Sequence, residues 1–347
     1  MKPRGKLLHH SPARNASPAR IATRSVVGRR SDAGGAFIIQ RSAFRLVLLA
    51  AAFCLAASPP APPIPAALAS LPANSRADVY AERIHTLGRD LPADQQRIWA
   101  DWMRGPKPVN LEIGSWHWLV NDVMDALCGQ KKPVAELTAQ CISICNDSKT
   151  DPVLRDYAIQ HLVERFHPVD PGDPYERDPR KRKLILSAMQ EVARYQSGNL
   201  AGTALQALNT ILRRQQQPAS FADQLSEPIE TAQFQSLAIQ AASAEAAGIP
   251  CRISALQICA ERQFKEALPI ARNLAANAKE PVSLRLSAIA LLGAMGTSQD
   301  TSLLEALRKQ ANPRLIRAIE PALKKLSGKA DATMERTPAV TASLILP

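Results

Sequence analysis

The chain has 347 residues and a net charge of +12, with 46% apolar side chains and only 4% aromatic ones. Ala and Leu dominate the apolar set, which favours helices over sheet. The charge is lopsided: residues 1–69 carry ten Lys/Arg and the single acid Asp32, leaving 33 basic against 30 acidic side chains in the body. Bulk charge therefore excludes a polyanion-binding body, and no nucleic-acid partner is expected.

Residues 1–69 read as a basic leader plus a signal peptide. A basic stretch ends at Arg45, and an uncharged apolar run occupies 46–57. That run is too short for a span of about 20 residues but suits the apolar part of a secretory signal. Ala67-Leu68-Ala69 fits a small-x-small cleavage pattern before Ser70. The expected location is secreted or periplasmic, with no stable membrane span after cleavage. The alternative is a chain tethered to the membrane by an uncleaved leader. Residues 70–77 read as a short linker, 78–326 as one helical body, and 327–347 as a disordered tail.

From residue 78 the apolar spacing predicts successive amphipathic helices. They fall near 79–88, 92–104, 115–128, 133–146, 152–166, 181–195, 199–214, 229–247, 250–262, 264–277, 281–295, 300–310 and 313–326. No stretch shows sustained period-two alternation, so no sheet is expected. Asp151-Pro152, Asp178-Pro179 and Asn312-Pro313 each place a capping side chain before a proline suited to the first helical position.

Several helices share a frame of Arg-x-x-Ala-x-x-x-apolar. It reads Arg155/Ala158/Leu162, Arg252/Ala255/Cys259 and Arg285/Ala288/Leu292. The spacing puts Ala and Leu on one face, where the small Ala lets a neighbouring helix approach. The later starts, Pro250, Pro281 and Pro313, recur every 31 or 32 residues. A two-helix unit of this size cannot bury its own apolar face, whereas stacked copies can.

With its Asp-Pro-Val opening, this frame resembles the HEAT repeat, including its shorter bacterial variants. "EPVSLRLSAIALLGAMG" followed by "DTSLLEALRK" resembles one whole repeat, first helix then second. The resemblance covers 250–326 well, 115–214 fairly and 78–110 faintly. It implies an all-α, right-handed α-solenoid of about six helical hairpins. It also implies that the frame arginines bridge repeats through a carboxylate or a helix-end carbonyl. The repeat is interrupted at 167–180 and 215–226.

Three classes of function remain open. An exported, non-catalytic scaffold for protein partners would use the basic run 176–183, chiefly Arg180, Lys181, Arg182 and Lys183. Cell-wall or carbohydrate binding would use the aromatic spot Trp116, His117 and Trp118, whose indole faces suit sugars or cations. An enzyme on such a scaffold, lyase-like by the resemblance, has no catalytic residue that can be carried over. Neither a cofactor nor a metal site is expected. His161, Glu164 and His167 lack the spacing of a zinc helix. Beyond the apolar run, five cysteines remain: Cys128, Cys141, Cys145, Cys251 and Cys259. Export permits Cys128 to pair with Cys141 or Cys145.

Overall fold

The computed structural model describes residues 64–72, 74–167, 174–195, 198–216, 229–310 and 312–334. The chain divides into 1–60 and 61–347, and the described residues all belong to the second unit. The expectations for the apolar run at 46–57, for 217–226 and for 335–347 lie outside the described residues.

Fourteen α-helices and no strands make up the described residues. They are α1 (Ala66–Ala69), α2 (Ala77–His85), α3 (Ala93–Arg104), α4 (Ile113–Cys128), α5 (Leu137–Asn146), α6 (Pro152–Phe166) and α7 (Pro179–Tyr195). Then follow α8 (Gly198–Gln215), α9 (Thr231–Ser243), α10 (Gly248–Arg262), α11 (Leu268–Ala276), α12 (Val282–Met295), α13 (Ser298–Arg308) and α14 (Pro313–Met334). The last helix runs past the predicted end at 326. α1 packs on α2 and buries Leu68, just before the expected cut after Ala69.

The packing is a two-layer helical-repeat stack. One layer is the row α4, α6, α8, α10, α12, α14, each helix packed on the next, with α2 against α4. The other layer is supplied by α5, α7, α9, α11 and α13. Hairpins therefore form as α5/α6, α7/α8, α9/α10, α11/α12 and α13/α14, with α3/α4 a looser first pair. One continuous core runs between the layers.

This phase corrects the sequence reading that joined 281–295 to 300–310 as one repeat. α12 packs on α11 before it and on α14 beyond it, while α13 packs on α14. The cause lies in the two connections. Between α11 and α12 the chain turns tightly: the Lys279 N–H donates to Asn277 Oδ1 at 3.0 Å and the Glu280 N–H to the Asn277 carbonyl at 3.2 Å. The α5/α6 turn repeats this, with Lys149 N–H to Asp147 Oδ1 at 2.9 Å and Thr150 N–H to the Asp147 carbonyl at 3.1 Å. After α12, Thr297 instead opens a new helix with a capping box that uses Asp300.

The frame arginines lock these hairpins. Arg155 Nε donates to the Cys145 carbonyl at 2.9 Å, Arg252 Nε to Ala242 at 3.2 Å, and Arg285 Nε to Ala275 at 3.1 Å. Each acceptor stands ten residues earlier, at the penultimate position of the preceding helix. Such carbonyls have no partner within their own helix, and a charged donor bonds them more strongly than a neutral one. Arg252 also reaches Glu280 of the next hairpin, at 3.4 Å from each carboxylate oxygen. Ala158, Ala255, Ala288, Leu162, Cys259 and Leu292 are all fully buried between helices. Asp151 caps α6 by accepting from the Val153 N–H at 2.8 Å, and Asn312 caps α14 by accepting from Leu315 at 3.0 Å.

Small residues set the spacing. A Cβ on Gly293 would stand 2.7 Å from both Cα and Cβ of Ala322, so α12 and α14 touch there at backbone distance. Gly293→Ala is expected to cost about 2 kcal/mol by overpacking. Denaturant unfolding should show a lower midpoint at unchanged slope.

Asp300 is a second structural pivot. Its side chain is fully buried, accepts from Arg272 at 2.7 and 3.1 Å, and takes the Thr297 N–H at 2.7 Å. Burial alone would raise its pKa, but the Arg272 and Thr297 bonds outweigh it, and the net shift is downward. A folded pKa below the unfolded one gives stability that is complete above about pH 4 and disappears as pH falls through the folded value. Asp300→Asn should therefore lower stability at pH 7 by about 2 kcal/mol. It should also shrink the loss of stability between pH 5 and pH 2, read from chemical unfolding at each pH.

Candidate functional site

The basic run 176–183 is half architecture. Glu176 is buried: it accepts from Thr138 Oγ1 at 2.6 Å and lies 3.5 Å from Arg165 Nη2, while Arg165 Nε donates to Thr138 at 3.0 Å. Asp178 caps α7 by accepting from the Arg180 N–H at 2.9 Å. Arg182 is buried at 2% exposure, which removes it from the expected interaction surface. Its guanidinium lies 4.0 Å from the centre of the Phe166 ring, and Nη1 donates to the Phe166 carbonyl at 2.7 Å. Lys181 is half-buried and donates to the Ala135 carbonyl at 2.6 Å. Arg180 and Lys183 are exposed.

The aromatic spot divides in the same way. Trp116 is buried at 4% exposure in an edge-to-face chain with Trp102 at 4.8 Å, and Trp102 meets Trp99 at 5.7 Å. It anchors α3 to α4 and presents no face for a ligand, which corrects its place on the expected surface. Trp118 is 41% exposed, edge-on to His85 at 6.5 Å. His117 points back to the start of α6, with Nε2 3.2 Å from Asp151 Oδ2. His161 contacts Asn121 at 3.1 Å, whereas Glu164 pairs with Arg214 at 2.8 Å. Those two side chains of the 161–167 trio thus serve different neighbours. Trp118 and the basic run lie on different layers and form no joint site.

An open groove lies elsewhere, across α6, α8 and α10, with a volume of about 750 Å³. α6 contributes Asp156, Gln160 and Glu164, one turn apart on one face. α8 contributes Thr203, Gln206 and Thr210, and α10 contributes Ser254. The floor is narrow because Gly202 lets α8 meet α10: a Cβ there would stand 3.0 Å from Ser254 Oγ and 3.5 Å from the Cys251 Cα. Val153, 38% exposed, gives the rim an apolar edge.

The groove mixes apolar and polar lining and is faintly acidic. Glu164 is neutralised by Arg214, but Asp156 accepts only the Gln160 amide at 2.7 Å, and no cation pairs with it among the described residues. Neither Thr203 nor Ser254 is bonded to an imidazole or carboxylate among the described residues, so no activated nucleophile is assembled there. The sequence carried this stripe in plain sight, as polar residues three and four apart at 156/160/164 and 203/206/210. Without knowing which helices stack, the stripe reads as an ordinary solvated face.

The chain matches no protein-family model and no curated protein. Among solved structures it is similar to human deoxyhypusine hydroxylase in complex with glycerol, at 14% identity over 75% of this chain and 99% of that one, with a TM-score of 0.27. It is also similar to the designed armadillo repeat protein YIII(Dq)4CqI, at 14% identity over 66% of this chain and 98% of that one, with a TM-score of 0.34. A second designed armadillo repeat protein, YIII(Dq.V1)4CPAF in complex with peptide (KR)4, shares 13% identity over 72% of this chain and 99% of that one, TM-score 0.34. At these scores the likenesses carry no argument, and the helical-repeat fold stands on the chain's own packing. No described helix is long and apolar enough to cross a membrane.

The split of the basic run is directly measurable. Arg182→Ala removes a buried hydrogen bond and a ring contact and should cost about 3 kcal/mol. Lys183→Ala should stay within about 0.5 kcal/mol of the unsubstituted chain. Paired chemical-denaturation curves separate the two.

Proposed function

We propose that the protein is a non-catalytic scaffold of HEAT-type hairpins that holds an extended segment of a protein partner in the α6/α8/α10 groove. The observation that carries this is the groove itself: three consecutive helices of one layer present amides and hydroxyls across an open channel. Such groups suit the N–H and C=O groups of an extended backbone, which must find partners when taken out of water. Asp156, which pairs with no cation among the described residues, adds a preference for a lysine or arginine in the segment. The basic leader supports export, so the partner is proposed to be extracytoplasmic. Cutting after Ala69 would strip the buried Leu68 from the body, so export is proposed with cleavage upstream of α1.

Fluorescence anisotropy with unstructured peptide libraries tests the reading. Lys/Arg-containing peptides should bind the full chain and Glu-containing ones should not. Asp156→Lys should weaken binding about tenfold, equivalent to roughly 1.4 kcal/mol, and Gln206→Arg should block the channel. Binding untouched by both groove variants but lost on Lys183→Glu would move the interface to the basic run.

A further inference from the structure

Cys128, Cys141 and Cys145 are free thiols, so no disulfide ties α4 to α5. What gathers beside the connection between those helices is positive charge. A pocket of about 430 Å³ opens there. Lys131 of the α4/α5 connection, Arg165 near the end of α6, Tyr175 and Arg177 of the segment before α7, and Lys181 in the first turn of α7 line it. Among the described residues, Glu176 is the one acid in the lining.

That acid is already committed. Glu176 accepts from Thr138 Oγ1 at 2.6 Å and from the Asp178 N–H at 3.2 Å. Its Oε2 lies 3.5 Å from Arg165 Nη2 and 4.0 Å from Lys181 Nζ, so two helices bring cations to one carboxylate oxygen. Lys131 pairs with Asp90, and Glu136, also near Lys181, pairs with Arg97 at 3.1 Å. Setting Arg165 against Glu176 and Lys131 against Asp90 leaves Arg177 and Lys181, a surplus of two positive charges. Arg177 pairs with no carboxylate among the described residues and lies 5.3 Å from the centre of the Tyr175 ring. Lys181 Nζ gives one proton to the Ala135 carbonyl at 2.6 Å, which leaves two N–H groups.

A second observation calls for an acceptor. Arg165 is buried at 4% exposure, and its Nη1 is a buried donor with no acceptor among the described residues. Leaving a charged donor unbonded costs more than leaving a neutral one. We infer that this pocket is an anion site for a small phosphate monoester. A phosphate group carries close to two negative charges at neutral pH and offers three strong acceptor oxygens. It therefore matches the surplus charge and the donors of Arg165, Arg177 and Lys181, whereas a carboxylate brings one charge and two oxygens. The volume exceeds that of a phosphate group, and Pro133, Pro174 and Tyr175 give a small organic substituent apolar surface to lie on. A phospholipid headgroup offers the same chemistry. The site does not depend on the groove reading.

Phosphorus NMR titration of the full chain with inorganic phosphate and with glycerol phosphate, in chloride buffer, is the test. Saturable binding at one site per chain is expected, weakened about tenfold in Arg177→Gln and in Lys181→Gln. Arg180→Gln and Lys183→Gln remove the same charge outside the pocket and should leave the affinity unchanged. Circular dichroism checks folding of each variant. Arg177 is exposed, so its variant carries the test should Lys181→Gln not fold. Acetate should not compete at equal concentration. Sedimentation with phosphatidylcholine vesicles, with and without phosphatidic acid, separates the two sources. Retention only by phosphatidic acid, lost in Arg177→Gln, assigns the site to a lipid headgroup, and no retention assigns it to a soluble monoester. The inference is overturned if neither the phosphates nor the phosphatidic acid vesicles bind saturably, or if acetate competes equally. It is also overturned if Lys183→Gln weakens binding as much as Lys181→Gln, since diffuse surface charge would then account for it.

Discussion

A helix that ends inside a stack leaves its last carbonyls without partners in the helix itself, and an apolar core supplies none. Here a guanidinium solves this from the helix that follows. Arg155, Arg252 and Arg285 each send Nε to the penultimate carbonyl of the helix before their own, at 2.9 to 3.2 Å. The planar, permanently charged fork keeps further N–H groups for other partners, as Arg252 does toward Glu280. A lysine could donate to the carbonyl but could not hold both contacts in one plane. With the helix end satisfied, the turn stays short, the two helices lie back to back, and the next hairpin can stack on them.

The stack in turn decides which surfaces exist. Alanines and glycines at the contacts bring helices to backbone distance, as Gly293 does with Ala322 and Gly202 with α10. Side chains on the outward stripe of one layer then line up from helix to helix. The α6/α8/α10 groove is a product of this regularity, not of an interruption in it. The interruption near residue 176 does something different: Glu176, Arg165, Thr138 and Arg182 tie α5, α6 and α7 together as a buried polar network. Such a network is tolerable only because its charges meet partners.

How much was legible in the sequence differs from residue to residue. The Arg-x-x-Ala-x-x-x-Leu frame announced a repeating helical face, and Asp151 and Asn312 cap the helices where the residue order placed them. The phase of the hairpins was misread because adjacency in sequence does not say which of two neighbouring helices a given helix packs on. The Asn277 and Asp147 turns settle that through bonds spanning only two or three residues, easily mistaken for generic loop chemistry.

Composition and periodicity by themselves determined a helical chain and the buried alanine–leucine face, because those depend on local propensity and a 3.6-residue period. Whether a charged or aromatic side chain faces solvent was decided only by tertiary structure. Arg182 and Lys183 are adjacent in a run of like charge, yet one lies over Phe166 and the other is exposed. Trp116 and Trp118 part in the same way, one into the tryptophan cluster and one to the surface. One residue turns the helix by about 100°, and which direction is inward depends on a neighbour that may lie thirty or more residues away in the chain.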